Sequence, residues 1–68
     1  MNKGLKEALD RFVAKSGEVT GRIYLINALI VDINYYLDDG DIDTAKDRLW
    51  ELEVVNSQLF EFMTGKNL

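Results

Sequence analysis

The densest set of side chains with chemical potential is Asp38, Asp39, Asp41 and Asp43. Closely spaced carboxylates suit two kinds of work, acid/base catalysis and binding of a hard cation. Asp39, Asp41 and Asp43 have the first three ligand spacings of an EF-hand calcium loop. The match then fails, because Thr44 stands where the loop needs glycine and Trp50 where it needs a bidentate acid. Acid/base work needs a pocket that shifts carboxyl pKa values, and a polar turn between helices offers none. Turn and helix-capping duty explains the same residues more simply, so Asp38, Asp39, Asp41 and Asp43 are read as an acidic tip.

No other catalytic constellation is present. The sequence has no Cys and no His, which removes thiol nucleophiles, histidine acid/base groups and the usual zinc ligands. Ser16 and Ser57 lack any nucleophile-elbow context. The expectation is therefore a protein that is not an enzyme, with no catalytic residue, no cofactor and no metal site.

Two surface features suit binding instead. Trp50 and Val54 lie one turn apart, away from the main apolar line of their helix, with Asp47 and Glu61 beside them. An apolar pair outside a core is a candidate anchor for a partner protein, Trp being enriched at binding hot spots. The competing expectation is that this flank packs under the N-terminal segment against Leu5, Leu9 and Phe12. Lys3, Lys6, Arg11 and Lys15 form the second feature, a basic side near the N-terminus suited to nucleic acid, although Glu7 and Asp10 interrupt it. The chain as a whole carries a net charge of −4. From Asp38 onward Asp38, Asp39, Asp41, Asp43, Asp47, Glu51, Glu53 and Glu61 face only Lys46, Arg48 and Lys66, so the molecule is electrically two-ended. An acidic balance disfavours non-specific binding to nucleic acid or anionic membranes, which needs a cationic surface.

These residues must be positioned by helices. Proline is absent, and Leu, Glu, Lys and Ala are frequent, which favours an all-α fold. In the stretch 18–38, Val19, Ile23, Ile26, Ile30, Ile33 and Leu37 alternate four and three apart, a seam along one side of a helix. Tyr24, Ala28, Val31 and Tyr35 make a second stripe, more than about 100° around the helix from the first. Asn27 and Asn34 flank the first seam. Residues 38–41 are a turn, with Gly40 supplying a left-handed residue and Asp41 or Asp43 capping the next helix. Residues 42–63 form the last helix, where Ile42, Ala45, Leu49, Leu52, Asn56, Leu59 and Met63 repeat the alternation. So short a link makes the two helices an antiparallel hairpin, seam against seam. Residues 64–68 read as a helix stop and tail.

Residues 1–16 are an amphipathic segment with Leu5, Ala8, Leu9, Phe12 and Val13 on one face and Asn2 as a candidate N-cap. Two geometries fit its junction with the central helix. Leu5, Leu9, Phe12 and Ser16 continue the seam in phase, giving one helix to Leu37 about 50 Å long. Against this, Lys15 followed by Gly17 has the form of a helix stop, and a break there is the favoured geometry. Gly17 and Gly21 also have the spacing of a close helix approach.

The expected architecture is a single helical domain, an antiparallel hairpin plus an N-terminal helical segment, as a three-helix protomer or a long-helix hairpin. Sixty-eight residues without disulfide or metal staples favour assembly into a homodimeric helix bundle. The second stripe needs a cover, so the expected oligomer interface is Ile23, Tyr24, Ala28, Val31 and Tyr35 with Leu5, Leu9 and Phe12. The longest uncharged apolar run, from Ile23 to Val31, is half a membrane span, and the N-terminus lacks a signal-peptide pattern, so the expected location is the cytoplasm. The function class that fits is a small protein–protein interaction module, an adaptor or inhibitor that occludes or bridges a larger protein. The alternatives are a dimeric nucleic-acid-binding bundle using the basic N-terminal face, and an acidic nucleic-acid mimic that blocks a basic site.

Overall fold

A computed structural model describes residues 3–65. Three helices run in chain order, α1 (Lys3–Ser16), α2 (Glu18–Asp38) and α3 (Ile42–Thr64), with no strand among the described residues. The all-α hairpin with an N-terminal helix is the architecture expected from the sequence. The Asn2 cap and the tail residues 66–68 lie outside the described residues.

The chain breaks between α1 and α2 at a single residue. Gly17 has φ 93° and ψ 175°, a backbone region that essentially only glycine enters. Its N–H still donates to the Val13 carbonyl at 2.7 Å, and its own carbonyl accepts from Gly21 N–H at 2.9 Å, so the corner costs few backbone hydrogen bonds. The turn sends α1 back along α2. Gly21 makes the return possible, because a Cβ at that position would lie 2.6 Å from the Phe12 carbonyl oxygen and 2.8 Å from Val13 Cα. Only a residue without a side chain lets the two backbones come so close.

The second corner is a Schellman closure. Gly40, at φ 80°, follows the α2 C-cap Asp39; its N–H donates to the Leu37 carbonyl at 3.1 Å, and Asp41 N–H donates to the Tyr36 carbonyl at 2.8 Å. Asp41 then caps α3. Its Oδ1 accepts from Thr44 N–H at 3.1 Å and its Oδ2 from the Thr44 hydroxyl at 2.7 Å.

The packing corrects the seam-against-seam expectation. The core consists of Leu5, Leu9, Leu25, Leu29 and Val55, with Ala8, Phe12, Val13, Ile26 and Leu52 packed around it. Leu25 and Leu29 belong to neither stripe read from the sequence; they lie between the two. Ile23, Ile30 and Leu37 of the first seam, and Ile42, Leu49 and Met63 of its supposed mate, are exposed. The reason is geometric. Once α1 folds back, three helices share one axis, and α2 turns the side between its stripes toward that axis so that Leu25 and Leu29 meet both neighbours.

Candidate functional site

The folded-back α1 covers one face of the α2–α3 hairpin. On that side Leu5, Ala8 and Phe12 line a groove of about 320 Å³ with Leu25, Leu29 and Glu51. Among the described residues no helix covers the opposite face. There Ile33 and Leu37 of α2 and Ile42, Ala45, Lys46 and Leu49 of α3 line a shallow groove of about 180 Å³. Continuing along the same flank, helical spacing aligns Val19, Ile23, Ile26 and Ile30 on α2 with Leu52, Asn56, Leu59 and Met63 on α3. The seams recognised in the sequence thus lie side by side along the rim of the open face: Ala45 is buried and Ile26 and Leu52 turn inward against the core, whereas Ile23, Ile30, Leu37, Ile42, Leu49 and Met63 are exposed.

Of the residues expected at an oligomer interface, Tyr24, Ala28, Val31 and Tyr35 are exposed, and Tyr35 makes an edge contact with Tyr36 at 5.2 Å between ring centroids. Ile23 is exposed too, but on the open hairpin flank rather than beside the tyrosines. Leu5 and Leu9 are a correction: both are buried in the protomer's own core, and Phe12 is half-buried against it, because α1 folds onto its own chain. None of the three is presented as a free apolar face.

Trp50 is 52% exposed, Val54 half-buried, Asp47 exposed and Glu61 half-buried. The structure does not place Trp50 in the core under α1. With Asp47, Arg48 and Glu51, it lines a mainly polar hollow of about 290 Å³. Arg48 and Glu51 form an ion pair, which lets the Glu51 carboxylate be buried beside the core.

The acidic tip divides by role. Asp38, Asp39 and Asp43 are exposed, whereas Asp41 is committed to the α3 cap. The Thr44 hydroxyl, and then the Thr44 backbone N–H, stabilise the charged form of Asp41 and hold its pKa below the usual carboxylate value. No group of three or more acidic side chains among the described residues is arranged to hold a metal ion. On the basic side, Lys3 pairs with Glu7 at 3.9 Å and Lys6 with Asp10 at 3.3 Å, both on the solvent face of α1. Two of its four cations are thereby partly neutralised by their own helix.

No family model, curated protein or solved structure matches this chain. No helix among the described residues is long and apolar enough to cross a membrane.

Arg22 was not singled out by its sequence context. It is buried between α2 and α3, with Nε donating to Gln58 Oε1 at 3.2 Å and Nη1 to the Glu18 carbonyl at 3.0 Å and Glu18 Oε1 at 3.3 Å. Its guanidinium lies 4.4 Å from the centroid of the Phe62 ring. The only available signal was Glu18 four residues before it. Arg22 acts as a clamp that fixes the far end of the hairpin, opposite the Gly40 turn.

Proposed function

We propose that this protein is a non-enzymatic interaction module, an adaptor or inhibitor that works as a homo-oligomeric helix bundle and occludes or bridges a larger protein partner. The observation that carries the reading is the amount of apolar surface outside the core. Among the described residues a dozen large hydrophobic side chains are exposed, including Tyr24, Val31, Tyr35, Trp50, Phe60 and Met63. Surfaces of this kind in small chains commonly mark protein–protein contacts. The exposed Trp50, with Asp47 and Arg48 beside it, has the composition of an interface anchor, an aromatic group with polar and charged neighbours. The exposed acidic tip would orient encounter with a basic region of the partner.

The test uses Trp50→Ala in the full chain. Because Trp50 is half in solvent, the variant should melt within about 1 kcal/mol of the parent. Capture of a cellular partner by the immobilised protein should fall at least about tenfold. A large loss of stability with unchanged capture would overturn the anchor role. Salt-sensitive binding to duplex DNA, abolished by neutralising Lys3, Lys6, Arg11 and Lys15, would replace the module by the nucleic-acid-binding alternative.

A further inference from the structure

We propose that the open face of the α2–α3 hairpin is the docking surface for a second copy of this chain, packed face to face with its Gly40 turn at the opposite end. The inference rests on the module reading, and it assigns self-association to a particular surface. The two copies would build a four-helix core from both hairpins, with each α1 on the outside.

Three observations point to a second copy as the occupant. The first is charge. On α2 the open face, from Val19 through Ile23, Ile26, Ile30 and Ile33 to Leu37, carries no charge, and on α3 Lys46 and Glu53 border Ile42, Ala45 and Leu49. Lys46 and Glu53 stand three before and four after Leu49, so an antiparallel copy sets each beside the opposite charge and leaves neither ion facing its like.

The second observation is symmetry. The α2 stripe reads nearly the same in either direction, Ile23 and Leu37 standing seven residues either side of Ile30. Arg22 bonded to Gln58 and the Leu37–Ile42 end of the groove fix the level of the two helices and place Leu49 across from Ile30. A two-fold axis at that level therefore sets Ile23 against Leu37 along antiparallel copies of α2, and on α3 sets Leu49 against Leu49 and Ala45 beside Leu52, with Ile42 meeting the Asn56 amide. An isologous interface demands this self-complementarity.

The third is area. Ile23, Ile30, Leu37, Ile42, Leu49 and Met63 are each 40–66% exposed. With their half-buried neighbours they offer roughly 800 Å² per protomer, the contribution expected of each partner in a standard stable interface.

Electrostatics selects between the two ways of stacking the hairpins. If both turns lay at one end, the exposed Asp38, Asp39 and Asp43 of one copy would crowd those of the other. With the turns at opposite ends the acidic clusters are separated by about 30 Å, the length of α2, several times the screening length of about 8 Å at physiological salt. The acidic tips and the two Trp50 side chains then remain on the outside, so the dimer presents each partner-binding surface twice.

The test is sedimentation equilibrium on the full chain with single substitutions. The parent should be dimeric at micromolar concentration. Ile30→Lys, on the open face, should weaken dimerisation by about 100-fold or more while the helical circular dichroism persists. Val31→Lys, next in sequence but facing away, should leave the dimer intact. If Ile30→Lys fails to fold, Leu49→Lys reads the same face from α3. In this cysteine-free chain, Ile30→Cys should oxidise to a disulfide-linked dimer and Asp39→Cys should not. A parent that stays monomeric, a dimer broken by Val31→Lys but not by Ile30→Lys, or cross-linking through Asp39→Cys alone would each overturn the proposal. The module reading fails separately: a monomeric parent whose partner capture still depends on Trp50 retains the module and loses only the second copy, whereas a dimer with no Trp50-dependent capture does the reverse.

Discussion

On one face of the α2–α3 hairpin Leu25, Leu29 and Val55 are sealed by Leu5 and Leu9 from α1; on the other Ile30, Leu37, Ile42 and Leu49 stand 43–48% exposed. The residue types are alike, and the seam on the exposed side is the more regular of the two. What separates them is the corner at Gly17 and the close approach at Gly21, which together commit α1 to one side. Hydrophobic periodicity therefore states that a face needs a cover, and chain connectivity decides which face receives one from the same chain.

The contrast is broken most severely at Gly21. A Cβ there would lie within 2.8 Å of backbone atoms of Phe12 and Val13, which cannot move aside as a flexible side chain would. Gly21→Ala should cost about 3 kcal/mol in urea unfolding, despite the better helix propensity of Ala, and should loosen α1 selectively in hydrogen exchange. Stability equal to the parent would mean that α1 docks without the close contact.

The next test compares matched truncations on the two faces. Leu29→Ala opens a cavity in a packed core and should cost about 3 kcal/mol. Leu49→Ala, at dilutions where the chain is monomeric, should cost less than about 1 kcal/mol. Raising the protein concentration should narrow the gap as the open face becomes covered. A gap that ignores concentration would mean that the open face stays in water.

The smallest effect is expected at the Asp41 cap, which serves both faces by fixing the start of α3. Hydrogen bonds from Thr44 lower the pKa of Asp41 in the folded protein. The associated stability is therefore present above the unfolded carboxyl pKa of about 4 and is lost as pH falls through the lower folded value. Asp41→Ser, which keeps a capping oxygen without the charge, should lower the melting temperature by only a few degrees at neutral pH. The difference from the parent should vanish in strong acid. A difference constant across that range would show that the Asp41 carboxylate contributes nothing as an ion.

Much of the fold was legible in single residues. Gly40 with Asp41 marked the second corner, because caps and left-handed residues are local chemistry that tertiary context rarely overrides; at the first, Lys15 with Gly17 favoured a break, but the stripe running in phase through Ser16 left one long helix open. The phase of packing was not legible. The stripes at Ile23 and Tyr24, with Leu25 and Leu29 between them, leave α2 apolar around most of its circumference, and such a helix has no unique buried side. Arg22 was hidden for a related reason, since a buried arginine is defined by the carbonyl, amide and ring that surround it and not by its immediate sequence neighbours. Of the candidate site, the capping role of Asp41 could be anticipated, whereas the exposure of Trp50 and the withdrawal of Leu5 and Leu9 from the surface could not, because both depend on which side of the hairpin α1 covers.

The sequence by itself determined an all-α chain, a helical hairpin closed at Gly40 and capped at Asp41, and apolar stripes in excess of what one hairpin can bury, because propensity, capping and composition act within a few residues of chain. The tertiary structure alone decided that α1 turns back and that Leu25 and Leu29, rather than the isoleucine seam, form the centre. Burial is a competition among faces, and its outcome depends on which neighbour the corners allow to arrive.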